Sequence, residues 1–307
     1  MPYAHFDALL AAVAPLDDIP VAVVDAAEEH VLRGACEAKI QSIIEPILIG
    51  DEPRIRHLLR TLETDFGHCP ALRILHADSA EAAAERGVEL VLSGEAKALM
   101  KGHLHSDAFL HPILAKLRTD RRLSHVFVAD LKTYPKLLLI TDAAINIAPD
   151  LLTKAAILQN AIDLAHLLDV AEPKAAILSA VEIINPAIVS TMDAACLSKM
   201  AERGQITGAQ VDGPLAFDNA ISKESARIKG IHSGVAGEAD ILVVPDLVSG
   251  NILAKDLEYL AGATLAGIVM GAKVPVILTS RADPARARLV SAGLAALVHY
   301  RRLERLP

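Results

Sequence analysis

The sequence predicts an α/β fold of mostly parallel strands sandwiched by helices, in a chain whose 307 residues suit two lobes better than one. Three observations lead there. Apolar runs of three to five residues recur along the whole chain. Longer segments with helical periodicity separate them. The interior must be built from small aliphatic side chains, since 52% of residues are hydrophobic while aromatics are 3% and Trp is absent.

The runs lie at 21–24, 47–49, 72–75, 88–92, 126–128, 137–140, 175–178, 241–244 and 274–278. Apolar on both faces, they read as strands buried between helices. Leu151, Ala155, Leu158, Ile162, Ala165 and Leu168 mark a helix entered through Pro149-Asp150. Leu253, Leu257 and Leu260 mark another, entered through Gly250-Asn251 and closed by Gly262. Alternating strand and helix makes a parallel sheet, and such sheets bind ligands beyond the carboxyl ends of their strands. The polar groups expected there are Asp25, Gly50, Ser93, Asp130, Asp142, Ser179, Asp246 and Ser280.

Net charge is −8 with scattered basic residues, which argues against a nucleic-acid or anionic-membrane partner while permitting a local phosphate pocket. Cys36, Cys69 and Cys196 are dispersed, with no Cys-x-x-Cys pair, so no disulfide framework is expected. The first ten residues lack a basic segment, and charges or Pro interrupt every apolar run, so the expected compartment is the cytoplasm.

Four segments can carry chemistry. The run at 274–278 ends in Thr279-Ser280-Arg281-Ala282-Asp283-Pro284. An Arg fork pairs with phosphate through two charge-assisted hydrogen bonds, and a neighbouring Ser can donate to the same oxyanion. Asp283 before Pro284 equally suits a helix cap. In Pro245-Asp246-Leu247-Val248-Ser249-Gly250-Asn251, a Gly-Asn turn is read as opening a helix with Lys255 one turn in, a place that favours an anion; an ordinary strand-to-helix connection fits as well. Val211-Asp212-Gly213-Pro214-Leu215-Ala216-Phe217-Asp218-Asn219 is read as a rigid turn with two carboxylates, Asp218 being free to act as a cap. Lys101-Gly102-His103-Leu104-His105-Ser106 suits an anion better than a metal, because no third ligand stands at readable spacing. Neither the phosphate-cradling Gly-Lys loop of nucleoside triphosphatases nor a dinucleotide-binding glycine fingerprint occurs.

These stretches, with Ser233-Gly234-Val235-Ala236-Gly237 and Leu260-Ala261-Gly262-Ala263, resemble the phosphate acetyl/butyryltransferase family in order and spacing from about residue 22 onward. Residues 94–105 look most like the butyryl branch, and the chain is similar to the transferase half of bifunctional proteins that carry a hydratase-like domain. The resemblance implies a two-lobed, three-layer fold like that of the isocitrate and isopropylmalate dehydrogenases. The first lobe would hold residues 1–142 and 268–307, the second 143–267, with the active site in the cleft between them. It implies a homodimer that binds acyl-CoA, phosphate and acyl phosphate as substrates, with no bound cofactor and no metal. The implied reaction is reversible transfer of a short acyl group between coenzyme A and phosphate in a ternary complex. Asp283 would then be the base, Arg281 would hold the phosphoryl oxygens, and Ser280 would bond the phosphate or the oxyanion. Asp212, Gly213, Pro214, Asp218, Asp246, Gly250, Asn251 and Lys255 would line the site from one lobe; Lys101, Gly102, His105 and Ser106 would line it from the other. His111 stands where acetyltransferases tend to have Arg. Two other readings share the fold: a metal- and NAD-dependent dehydrogenase, and a non-catalytic acyl-CoA-binding regulatory module.

Overall fold

The computed structural model describes residues 3–66, 71–280 and 283–304. Its contacts divide the chain into a terminal unit, Phe6–Arg121 with Ala266–Pro307, and a middle unit, Met1–His5 with Arg122–Leu265.

The terminal unit begins with α1 (Phe6–Val13), β1 (Ile19–Val24), α2 (Glu29–Ile40), β2 (Ile44–Gly50), α3 (Glu52–Phe66), β3 (Arg73–His76), α4 (Ala80–Leu92), β4 (Ala98–Lys101) and α5 (Ser106–Lys116). The middle unit contributes β5 (Ser124–Asp130), β6 (Leu138–Thr141), α6 (Leu151–Leu167), β7 (Lys174–Leu178), α7 (Val189–Glu202), β8 (Gln210–Leu215), α8 (Phe217–Ile221), α9 (Lys223–Ile228), β9 (Ile241–Val243) and α10 (Leu247–Tyr259). The chain returns through β10 (Thr264–Met270), β11 (Val276–Ile277) and α11 (Ala285–Glu304).

In the terminal unit the strand order is β3-β2-β1-β4-β11-β10, parallel throughout except for the β10–β11 pair. The residues of β1 and β4 are almost all fully buried, so helices cover both faces. One cover is α4 with α5; the other is α11 with α1 and α2. Gly87 lets α4 lie on Val24, Leu99 and Ile49, where an added Cβ would approach Val24 Cγ2 to 2.7 Å.

In the middle unit the order is β5-β6-β9-β7-β8, with β5–β6 antiparallel and the rest parallel. Phe127, Leu138, Ile140, Leu178, Leu215 and Leu242 share its core. The sequence expectation set the first crossing between units at Ala143, whereas the contacts set it at Arg122. Strands β5 and β6 pair with each other, and β6 pairs with β9, so both belong with the middle segment.

Three local expectations are corrected. Residues 88–92 are the last turns of α4, capped by Ser79, whose side chain accepts the Ala82 N–H; Ser93 is its C-cap rather than a strand end. The strand lies at β4, ten residues on. A short apolar run does not distinguish a buried strand from the buried stripe of a helix. Residues 210–215 form edge strand β8 rather than a turn, with Pro214 tolerated because an edge position does not require its missing N–H. Cys36 is disulfide-bonded, and Cys196 is free and exposed. Spacing along the chain does not limit which cysteines the fold brings together. Among the described residues no helix is long and apolar enough to cross a membrane.

At the end of β6, the buried Asp142 carboxylate accepts the N–H groups of Ala144, Ile145 and Asn146 at 2.9, 3.0 and 3.3 Å. It also accepts Asn146 Nδ2 at 2.5 Å. The amide of Asn146 reaches on to the Leu123 carbonyl and takes a bond from Arg122 Nε. Asp142→Ala would strand these donors away from water and should cost about 3 kcal/mol, read as a lower urea midpoint at unchanged m-value. Asp142→Asn, which keeps one acceptor oxygen, should cost less.

Candidate active site

Each unit presents polar groups where its parallel strands end. In the terminal unit β1, β4 and β11 lie side by side and parallel, so Asp25, Lys101-Gly102 and Thr279-Ser280 share one edge. Gly102 is the closest approach. Its N–H donates to the Val24 carbonyl at 2.8 Å, and a Cβ there would sit 2.2 Å from the Asp25 carbonyl oxygen, which no side chain can do. Asp25 adopts a left-handed φ of 57°, a conformation that Asp tolerates. Burial raises the pKa of its carboxyl, opposed by the nearby His103, Arg54 and Lys101.

Ser280 is held by its backbone on both sides. Its N–H donates to Asp283 Oδ2 at 2.7 Å, and its carbonyl accepts Arg288 Nη2 at 3.1 Å. The residue is half-buried, and its hydroxyl makes no hydrogen bond among the described residues. Asp283 is 3% exposed, and its Oδ2 accepts the Ser280 N–H. Arg281 lies outside the described residues.

Sequence reasoning missed Arg288. On α11 it is 1% exposed and donates to Thr279 Oγ1 at 3.0 Å as well as to Ser280. An Arg flanked by Ala287, Leu289 and Val290, all of them core residues, was the available signal. Lys101, Gly102, Ser280 and Asp283 therefore come together. His105 is exposed just before α5 and Ser106 is that helix's first residue, with no described side-chain bond tying either to the group.

The middle unit holds the remaining candidates in separate places. Asp246 is the N-cap of α10, its Oδ1 accepting the Ser249 N–H at 2.8 Å in a capping box. The helix accordingly starts before Gly250-Asn251, which were expected to form the entering turn and instead lie inside it. Gly250 lets the helix approach its sheet, where a Cβ would lie 2.6 Å from Val244 Cγ2. Asn251 Nδ2 reaches the Ala143 carbonyl at 3.5 Å. Lys255 is therefore more than two turns in, pairs with Glu258 at 2.7 Å, and stands over the Tyr259 ring. Asp218 is exposed and paired with Lys229 at 3.1 Å, a hydrogen bond that holds its carboxyl below the usual range. Asp212 and Gly213 line a cavity of about 490 Å³ beside α7, with Ser198, Lys199 and Gln210. Gly213 and the buried Pro214 are joined by a cis peptide. Among the described residues no group of three or more His, Cys, Asp or Glu side chains converges as metal ligands would.

The family model described as phosphate acetyl/butaryl transferase matches residues 77–296, a span that contains both strand-end groups except Asp25. This chain belongs to the phosphate acetyl/butyryl transferase family. It is 50% identical over 300 residues to a phosphate acetyltransferase of Rhizobium meliloti, covering 97% of this chain and 94% of that one. It is 42% identical over 281 residues to a phosphate butyryltransferase of Clostridium acetobutylicum, covering 91% and 92% of the two chains. Among solved structures it is similar to a branched-chain phosphotransacylase from Enterococcus faecalis V583, with a TM-score of 0.78 at 31% identity, covering 92% of this chain and 99% of that one. A 4-hydroxythreonine-4-phosphate dehydrogenase from Klebsiella pneumoniae shares the fold alone, with a TM-score of 0.55 at 15% identity over 92% of this chain and 98% of that one.

Capping by Asp246 can be separated from any role toward a substrate. Asp246→Ala should lose about 1 kcal/mol of stability, while Asp246→Asn, an equally good cap, should melt with the wild type. Thermal denaturation of the two variants checks this.

Proposed function

We propose that this family member catalyses the reversible transfer of a short acyl group, acetyl or butyryl, between coenzyme A and inorganic phosphate. The observation that carries the reading is the Ser280 hydroxyl. It stands on a half-buried residue just past the carboxyl end of a buried strand, a residue whose backbone is held by Asp283 and Arg288, in a chain with near full-length phosphate acyltransferase relatives.

In this reading Arg281 and the Ser280 hydroxyl hold the phosphoryl oxygens, and the hydroxyl also meets the oxyanion that forms when a CoA thiolate attacks an acyl phosphate. The carboxylate of Asp283, already accepting an N–H and close to a guanidinium, is a weak base for a thiol of pKa about 8.5. In this reading it takes the CoA thiol proton as well as holding Ser280, and most of the rate would come from alignment and charge stabilisation. Lys101, Gly102, His105 and Ser106 would bind substrate in the terminal unit. Asp212, Gly213, Pro214, Asp218, Asp246, Gly250, Asn251 and Lys255 would do so in the middle unit. Acyl-CoA, acyl phosphate and phosphate are then the partners, with no resident cofactor, in the cytoplasm where those metabolites are found.

Free thiol release from acetyl-, propionyl- and butyryl-CoA should require phosphate. Ser280→Ala should lower kcat about 100-fold in a folded protein, the usual cost of one oxyanion donor. Release without phosphate would indicate a thioesterase, and tight acyl-CoA binding without turnover would indicate a regulatory module.

A homodimer belongs to the same proposal. Ile183, Ile184 and Val189 of the middle unit are 71%, 56% and 69% exposed within one short stretch, and Met192 follows on α7. Light scattering should give twice the mass of one chain, falling to a single chain with Ile183→Asp and Val189→Asp combined.

A further inference from the structure

We propose that Arg288 is a positioning residue for acyl transfer: its guanidinium clamps the carboxyl ends of β4 and β11 so that the backbone of Lys101 and the Ser280–Asp283 turn stay in register at the substrate. The inference rests on the proposed activity and assigns a role to a side chain that would not itself touch substrate.

Arg288 is among the largest fully buried side chains in the protein. Removing a guanidinium from water is costly unless its donors are met. Here its Nη1 and Nη2 donate to strand ends: Thr279 Oγ1 at 3.0 Å, the Ser280 carbonyl at 3.1 Å, and the Lys101 carbonyl at 3.5 Å, the last at the limit of a hydrogen bond. Thr279 and Ser280 follow β11, Lys101 closes β4, and the two strands are parallel neighbours. One planar fork therefore spans two strands at the place where both carry site residues. Lys could reach one of these acceptors but could not hold the set, because its ammonium has no rigid fork.

The surroundings are shaped for this side chain. Gly34 on α2 leaves room for the arginine stem, since a Cβ there would lie 2.9 Å from Arg288 Cβ and 3.1 Å from its Cδ. Desolvation lowers the pKa of the guanidinium, while the charges of Asp283 and of Glu28, the N-cap of α2, act in its favour. Asp283 thus has two connections to the same turn: it accepts the Ser280 N–H directly and faces the cation that binds the Ser280 carbonyl. A stability role alone would show as a lower melting temperature with kcat per folded molecule unchanged, since removing one partner leaves Asp283 and the Ser280 carbonyl without the guanidinium. What an apolar replacement cannot do is fix Ser280 relative to Lys101.

The test compares Arg288→Met and Arg288→Lys with the wild type in the full chain, reading kcat and KM for acyl-CoA and phosphate per folded molecule, with melting by circular dichroism. Arg288→Met should remain folded, lose about 100-fold in kcat, and change KM for acyl-CoA less than threefold, because a displacement of about 1 Å costs that much in alignment. Arg288→Lys should recover about tenfold of the loss. A folded Met variant with wild-type kcat overturns the proposal. If the Met variant does not fold, a Lys variant at wild-type kcat overturns it just as well. A wild type without phosphate-dependent turnover would instead sink the activity, whereas active wild type with equally active variants sinks only the role of Arg288.

Discussion

Parallel strands buried on both faces leave no place along their length for a polar side chain, and that constraint sets the position of everything chemical in this protein. Val21–Val24 of β1 and Ala98, Leu99 and Met100 of β4 are apolar and shut away from water, so the polar groups of these strands stand at their carboxyl ends. Asp25, Lys101 and Ser280 occupy those ends. The parallel register of β1, β4 and β11 makes them neighbours, although they lie far apart in the chain. Close packing of backbone on backbone follows from the same constraint, and Gly102 against the Asp25 carbonyl is its tightest instance.

Several residues that suggest substrate contact by type are also occupied in holding the scaffold. Asp246 caps α10, Asp283 holds Ser280 by its N–H, and Lys255 is engaged with Glu258 and Tyr259. A helix start and an anion site use the same exposed amides, so one carboxylate can close off what a substrate would otherwise take. Ser280 differs because its backbone bears the structural load, which frees the hydroxyl.

Much of this was legible in the sequence, for identifiable reasons. Runs such as 21–24 and 241–244 are too short for helices and apolar on both sides, and they proved to be strands. The cap at Asp150 was legible from Pro149-Asp150, and its side chain does accept the Thr153 N–H. The run at 88–92 misled because Val and Leu near the end of a helix have the same composition as a strand. Gly250-Asn251 misled because Gly was taken as a turn residue, when its lack of a side chain serves helix-to-sheet contact; Asp246 and Ser249, three apart, already carried the capping signal. Strand β8 was hidden by Gly213-Pro214. Arg288 was hidden by distance, since its partners at Lys101 and Thr279 become neighbours only when α11 packs on the sheet.

The crossing of the chain between its units has a consequence for the order in which the protein can be built on the ribosome. The middle unit is nearly continuous, so its strands have all emerged once Leu265 is clear of the exit tunnel. The terminal unit is made on either side of it: β4 keeps an unpaired edge until β11 arrives, and α11, which covers that sheet and carries Arg288, follows β11. A nascent chain therefore spends most of its synthesis with an exposed parallel edge on its first-made half. The strand ends at Lys101 and Ser280 cannot be held together before α11 has docked, so this edge of the sheet is set only after the middle unit has been made.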